Sequence, residues 1–242
     1  MKVLVTTKSA IDYQVKIVVK PDGSGVETDG VQMSMNPFDA IAVEACCALQ
    51  EANHVAESTA ITIGEDTDVL YQALAMGIHQ ACHIPQTCSD PFQKALLLHQ
   101  YIKENHFDLI IMGKLGIDGD HSQIPAMLAG MLSYPLASNA SDIQVDGKRI
   151  IVDRETDAGI LQCEIPTPGI ISCDLRLNTP RFVALPKLLQ AKKQSIEVFS
   201  AEVNDSPHTI LSTKSPQKRE GNPPVDDLDT FINNLKDGGI IE

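Results

Sequence analysis

The chain has 242 residues, of which 43% are hydrophobic and 21% are charged, proportions typical of a globular protein with a sizeable core. Its 19 Lys and Arg residues against 32 Asp and Glu residues give a net charge of −13. That charge argues against a nucleic-acid-binding surface and against attachment to anionic lipid. The sequence holds no run of about 18 apolar residues, so we expect no membrane-spanning helix. Because an apolar strand directly follows Met1-Lys2, we expect no secretory signal either.

The cysteines are not arranged as a metal or redox motif. They form no C-x-x-C pair, and no histidine is spaced with them as in a zinc site. We therefore expect a reduced compartment, a cytosol or an organelle matrix, and thiols that mostly belong to the core. No metal-ligand set, paired carboxylates or catalytic triad is evident, so the sequence predicts neither hydrolysis nor metal catalysis. The six cysteines are Cys46, Cys47, Cys82, Cys88, Cys163 and Cys173.

The first half of the chain alternates between predicted strands and helices. Asn36 is expected to cap the first helix, with Pro37 in the first helical position and Asp39 in the first turn. A hairpin or an excursion with turn residues at its tip is predicted over 13–28. Strands separated by helices favour a parallel sheet covered on both faces. The predicted strands are 2–7, 58–63, 79–84 and 107–112, and the later helices are 68–75 and 91–105.

The second half has a different pattern. A β-hairpin is predicted around the Asp146-Gly147 turn, followed by strands at 159–165 and 169–173 and by one basic helical piece at about 185–193. Residues 201–242 carry few large apolar groups, the Pro223-Pro224 break and solubilising acids such as Asp226, so they cannot build a core of their own. We expect an α/β nucleotide-binding domain over 1–200 and a C-terminal arm over 201–242, with a short helix at 225–235.

A glycine-rich stretch at 113–123 joins the most apolar strand to a helix that is expected to begin near Ser122. Such loops at the carboxyl edge of a parallel sheet bind phosphates, although an ordinary βα loop fits the local pattern equally well. Asp118 and Asp120 would repel an anion, so backbone N–H groups and the helix end would have to bind it. His121 is a possible acid or base, but a plain polar loop residue is the better interpretation.

One basic cluster, made of Lys187, Lys192 and Lys193, follows the apolar segment 182–185. A solvated helix face would explain these lysines, and so would docking on an acidic partner.

Several stretches, in order along the chain, resemble the β subunit of electron transfer flavoproteins. The most diagnostic one is VDRETDAG at 152–159, and DLRLNTPRF at 174–182 is similar to the family as well. The remaining similar stretches are 11–13, 15–17, 34–38, 41–44, 73–77, 108–114, 185–186 and 191–193.

The resemblance implies a heterodimeric electron carrier and not an enzyme, with no catalytic residue in this chain. Its α subunit would hold most of the FAD, while this chain would form one wall of the flavin site and bury a structural AMP. The complex would take electrons from acyl-CoA dehydrogenase-type flavoenzymes of fatty acid β-oxidation and pass them to a membrane flavoprotein–quinone oxidoreductase of the respiratory chain. The implied fold is a Rossmann-like parallel sheet with helices on both faces (adenine nucleotide alpha hydrolase-like), a β-hairpin excursion and a C-terminal arm. A bacterial cytoplasm is expected, or the mitochondrial matrix in a eukaryote.

The resemblance also implies roles for individual residues. Tyr13 would lie near the flavin. The partner-recognition loop at about 177–195 would dock dehydrogenases through Leu185, Pro186, Lys187, Lys192 and Lys193, with Leu185 as the anchor. The AMP site would comprise Thr6, Asn36, Pro37, Phe38, Asp39, Ile63, Gly113, Lys114, Leu115, Gly116, Ile117, Asp118, Gly119, Asp120, His121, Ser122, Gln123 and Ile124.

The chain departs from the usual family pattern at Thr6, Gly119, Ile124 and Ala158. Ile124 stands where family members carry Thr, so one possible phosphate donor is lost. Two alternatives remain open. One is a bifurcating-type β subunit in which a second FAD replaces AMP and receives hydride from NADH. The other is a stand-alone nucleotide-binding regulatory protein of the universal-stress type.

Overall fold

The computed structural model describes residues 1–88, 90–147, 149–206, 208–218, 221, 224–225 and 227–241. Pro223 and Asp226 of the expected arm lie outside this part of the chain.

Strands and helices alternate from residue 33 to residue 132, after two initial strands. In chain order the elements are β1 (Lys2–Thr6), β2 (Ser9–Ile11), β3 (Met33–Met35), α1 (Pro37–Glu51), β4 (Glu57–Ile63), α2 (Asp68–Met76), β5 (Gln80–Ile84), α3 (Pro91–Asn105), β6 (Leu109–Gly113) and α4 (Ile124–Leu132).

Strands predominate after residue 135. The elements there are β7 (Leu136–Asp146), β8 (Arg149–Thr156), β9 (Gly159–Ile165), β10 (Gly169–Cys173), α5 (Leu185–Ala191), β11 (Glu197–Val198) and α6 (Leu228–Asp237).

In the described residues, one nine-stranded sheet has the order β11-β5-β4-β1-β6-β10-β7-β8-β9. Neighbours from β11 to β7 are parallel, and β8 runs antiparallel to both β7 and β9. The predicted α/β fold with a mostly parallel sheet is therefore confirmed. Because the carboxyl ends of parallel strands meet at one edge, β1, β4 and β6 bring their last residues together.

Successive side chains of β1 enter opposite layers of the core. Val3 and Val5 pack with α1 and α2, whereas Leu4 packs with α3 and α4. Alternate residues of a strand point to opposite faces of its sheet, and all three side chains are fully buried because helices cover both faces.

Some predicted elements differ from the observed ones. The excursion at 13–28 has one β-bridge, between Val19 and Val26, and no strand of its own. The antiparallel pair β2–β3 was not predicted. Helix α4 begins at Ile124 and not near Ser122, because Ser122 has a φ of 52°, which lies outside the right-handed helical region.

The chain divides into two compact units. The larger unit comprises Met1–Ile17 and Glu27–Leu211 and contains the nine-stranded sheet. The smaller unit comprises Val18–Val26 and the described residues from Ser212 onward, including α6. Within the smaller unit, the N–H of Thr213 donates to the carbonyl of Gly23 at 2.8 Å.

Candidate functional site

A cavity of about 460 Å³ opens at the edge where β1, β4 and β6 end. Thr6, Ile63 and Gly113, the last residues of these strands, all line it. The other predicted nucleotide-site residues in its lining are Asn36, Asp39, Lys114, Leu115, Gly116, Asp118, Gly119, Asp120, His121, Ser122, Gln123 and Ile124. Pro37, Phe38 and Ile117 do not line the cavity.

Asn36 holds the loop that follows β6. Its side-chain Nδ2 donates to the carbonyl of Leu115 at 2.8 Å, and its Oδ1 accepts the N–H of Ile117 at 3.2 Å. Asn36 occupies the N-cap position of α1, as expected, but its fully buried side chain makes no capping bond to the helix. The reason is that these long-range backbone groups occupy both ends of the amide.

Asp39 lines the cavity and lies against Gly113. Its Oδ2 accepts the backbone N–H of Lys8 at 3.0 Å. Burial raises the pKa of Asp39 to about 7, against the opposing effect of a hydrogen bond from Asn36 and of the charge on Lys8. A Cβ on Gly113 would come within 2.9 Å of the Cβ of Phe38, so this close approach of β6 to α1 requires glycine.

Lys8 neutralises one of the two carboxylates that the sequence places in the loop. Its Nζ lies 2.5 Å from Oδ2 of Asp118. Although burial of Asp118 raises its pKa, the hydrogen bond and charge of Lys8 hold that pKa below its usual value. The pair reduces the repulsion that Asp118 would exert on an anion.

The backbone of the loop is folded on itself. The carbonyl of Gly116 accepts the N–H groups of Gly119 at 3.1 Å and of Asp120 at 2.8 Å. Asp120, with a φ of 51°, and Ser122 both adopt left-handed conformations. The ring of His121 lies over Gly119, where a Cβ would approach it within 3.0 Å.

The segment that carries Leu185 is attached to α1 by Arg181. The Arg181 guanidinium forms two hydrogen bonds of 2.8 Å with the carboxylate of Glu44 and one of 2.7 Å with Glu51. Leu185 itself is 66% exposed, so it is not a core residue of this chain. Paired Arg–carboxylate bonds of this kind fix orientation as well as adding energy.

The predicted basic cluster is spread over the surface of the same segment. Lys187 and Lys193 are exposed, and Nζ of Lys192 lies 3.4 Å from Oδ1 of Asp68. Lys192 is therefore partly neutralised by α2. Tyr13, predicted to lie near the flavin, is 71% exposed.

Two of the diagnostic stretches meet in space. Arg176 donates through Nη1 to Oε2 of Glu155 at 2.6 Å. Nζ of Lys114 lies 3.1 Å from Oδ2 of Asp174. These contacts join residues 152–159 to 174–182 and to the loop after β6.

Sequence reasoning missed several residues of the cavity. Thr7 and Lys8 follow β1 directly and were open to prediction as strand-end residues. Lys94 lies in α3, the helix after β5, and no local motif marks it. Ile210 reaches the cavity from a segment that has no predicted element.

The cysteines are all free, and Cys46, Cys47, Cys82 and Cys173 are buried, as expected for core thiols. No group of three or more His, Cys, Asp or Glu side chains with the arrangement of a metal site occurs among the described residues. None of the helices in the described part of the chain combines the length and apolar character needed to cross a bilayer.

Comparison with known proteins identifies one family along the whole chain. The electron transfer flavoprotein domain matches residues 24–204. The chain is 39% identical to the electron transfer flavoprotein subunit beta of Dictyostelium discoideum over 248 residues, covering 100% of this chain and 99% of the relative. It is 36% identical to the human subunit over 252 residues, with coverage of 100% and 99%. A mitochondrial subunit from Oryza sativa subsp. indica is 38% identical, with 98% of each chain covered.

The resemblance carried by residues 152–159 and 174–182 is thereby confirmed over the full length, which leaves no support for a stand-alone regulatory protein. The chain belongs to the family of electron transfer flavoprotein β subunits, which are electron carriers and not classical enzymes.

Proposed function

We propose that this chain pairs with an electron transfer flavoprotein α subunit and that the heterodimer carries electrons from acyl-CoA dehydrogenase-type flavoenzymes to a membrane quinone oxidoreductase. FAD, shared between the subunits, would supply the redox chemistry when bound, and the residues of this chain would help to bind and orient it. The observation that carries the proposal is the cavity of about 460 Å³ at the carboxyl edge of the parallel sheet. The compartment would be a bacterial cytoplasm or a mitochondrial matrix, the latter by analogy with the rice relative.

The cavity has the size and chemistry for AMP. Its volume lies within the roughly 300–1,000 Å³ range of small-molecule sites, towards the end that suits a mononucleotide better than a second FAD. Ile63 and Leu98 are apolar residues of the lining that could contact a base, while Lys94 and the loop 114–123 offer cationic and polar groups. We infer a structural ligand, because burial raises the pKa of Cys88, the thiol in the cavity lining, and so favours its unreactive protonated form. The described residues also form no metal site that could react with a nucleotide.

The electron-transfer partners would meet this chain elsewhere. Leu185, exposed and held by the Arg181 attachment, would insert into an apolar pocket on the dehydrogenase. Lys187, Lys192 and Lys193 beside it would raise the encounter rate with an acidic partner. Tyr13, also exposed, would lie against the flavin in the heterodimer.

We propose that the arm, residues 201–242, packs on the α subunit. Its helix α6 has an apolar stripe, in which Leu228 is 70% exposed and Phe231 is 48% exposed. Such a stripe is normally buried against a partner surface.

The test is to co-express the chain with its α subunit, purify the complex and quantify the nucleotides released on denaturation. We expect 1:1 co-elution, one FAD and one AMP per heterodimer, and flavin reduction by an acyl-CoA dehydrogenase with its substrate. Two flavins without AMP, together with reduction by NADH, would replace this proposal with the bifurcating alternative. A complex without flavin would refute both.

A further inference from the structure

Lys94 brings a positive charge to the cavity from helix α3, which is separate from the loop after β6. It lies in the second turn of α3, which follows β5 and therefore begins at the carboxyl edge of the sheet. Pro91, Lys94 and Leu98 of this helix all line the cavity.

The ammonium group of Lys94 has no ion pair or hydrogen bond with any of the described residues. The other two lysines of the cavity are already paired, Lys8 with Asp118 at 2.5 Å and Lys114 with Asp174 at 3.1 Å. Lys94 is therefore the cavity lysine with a free charge in the described part of the chain.

The surroundings of Lys94 disfavour a charge without a partner. Burial lowers the pKa of Lys94, and the nearby charge of Lys8 lowers it further. Cys88, Asp118 and Asp90 act in the opposite direction. However, burial raises the pKa of Cys88 and so favours its neutral thiol, Asp118 is bound to Lys8, and Asp90 accepts the hydroxyl of Ser206 at 2.8 Å. A bound anion would relieve both unfavourable effects.

The helix that starts at the loop gives an anion fewer donors than a helix start normally does. Ile124 and Pro125 begin α4, and proline has no N–H. Ile124 also has no hydroxyl. A phosphate at this end of the cavity consequently needs a donor from another element.

We propose that Lys94 binds the phosphate of the nucleotide in the cavity and makes the cavity selective for a phosphorylated nucleoside over the bare nucleoside. This inference rests on the proposed function, since it takes a nucleotide to be the occupant. A lysine ammonium suits the role because it is a compact charge on a flexible stem. Lys94 is then a specificity residue that the glycine-rich loop does not reveal.

The test is to titrate nucleotide-depleted heterodimer with AMP and with adenosine, for wild type, Lys94→Gln and Lys103→Gln. Lys103 lies on the same helix, is exposed and does not line the cavity, so it is the matched control. We expect Lys94→Gln to weaken AMP binding about tenfold, equivalent to about 1.4 kcal/mol, and to leave adenosine binding unchanged. Lys94→Arg should keep the preference for AMP.

An AMP-to-adenosine affinity ratio in Lys94→Gln equal to that of wild type would overturn the inference while leaving the proposed function standing. Absence of AMP binding by wild type would overturn both. If Lys94→Gln does not fold, Lys94→Met, which keeps the aliphatic stem, replaces it and has the same expected result.

Discussion

Replacing Asp39 by Asn should remove a pH dependence from the stability of the heterodimer. A buried carboxyl with a raised pKa favours its protonated form in the folded state, so the fold loses stability as the pH rises from the unfolded pKa towards the folded one. For Asp39 these values are 3.8 and about 7. The loss of folding stability caused by ionisation of Asp39 is absent below pH 4, grows through pH 4–7 and is complete above pH 7.

The magnitude follows from the size of the shift. Each pKa unit corresponds to about 1.4 kcal/mol, so a shift of about three units sets an upper limit of about 4 kcal/mol on the penalty. Asn cannot ionise, but its amide would meet one of the donors that now faces the carboxylate, which costs about 1 kcal/mol. We expect Asp39→Asn to be about 2–3 kcal/mol more stable than wild type at pH 8 and to have no advantage at pH 4.

Urea unfolding of the AMP-saturated heterodimer at pH 4, 5, 6, 7 and 8, at one protein concentration, measures this difference. Asp205→Asn is the control, because Asp205 is exposed and lies outside the cavity. A stability difference between wild type and Asp39→Asn that stays constant from pH 5 to pH 8 would refute the reasoning.

Four further results are expected. Leu185→Ala should weaken electron transfer from dehydrogenases about tenfold or more, with flavin content and melting temperature unchanged. Leu211→Ala, which also alters an exposed leucine, should leave this electron transfer unchanged. A loss of folding without a specific loss of electron transfer from dehydrogenases would exclude the anchor role. Truncation after Pro224 should weaken assembly with the α subunit in size-exclusion chromatography, and unchanged assembly would contradict packing of α6 on that subunit. Asn36→Ala should lower the AMP content and reduce the free energy of unfolding by about 1–3 kcal/mol, because the backbone groups of Leu115 and Ile117 lose their hydrogen-bond partner. Full AMP content in this variant would show that the loop does not depend on Asn36. AMP should raise the melting temperature of depleted heterodimer, since it binds only the folded state, and equal melting with and without AMP would contradict a structural role.

Elements with strong local signals were predicted from the sequence almost to the residue. Helix α3 begins at Pro91, and the carboxylate of Asp90 caps it by accepting the N–H of Phe92 at 2.8 Å. An Asp followed by a Pro is a recognisable signal for the start of a helix. Strands β9 and β10 have their predicted bounds as well. Strand β7, the first strand of the hairpin predicted around Asp146-Gly147, already begins at Leu136. Its first half was not predicted, because polar residues such as Asn139 interrupt the apolar pattern.

The features that were missed depend on contacts distant in sequence. The pair β2–β3 consists of three-residue strands, which are too short to show a period. Asn36 has the sequence context of a helix cap, but its partners are Leu115 and Ile117, about eighty residues later. Lys94 belongs to the cavity only because β5 lies beside β4 in the sheet. Residues at strand ends were easier to assign to the cavity than residues on the helices, because the carboxyl ends of parallel strands always meet at one edge of the sheet.

The central place of β1 has a consequence for the order in which this chain folds. Val3 pairs with Ser58 on one side and with Leu109 on the other, so the middle of the sheet cannot close until the ribosome has released residues up to β6. Pairings over such separations close slowly, because the entropy of a long loop is lost first. The cavity draws on Thr6, on the loop after β6 and on Ile210, so it is complete only after most of the chain has been synthesised. A nucleotide bound there would distinguish finished chains from interrupted ones, and nucleotide-free chains would be the ones most exposed to proteolysis.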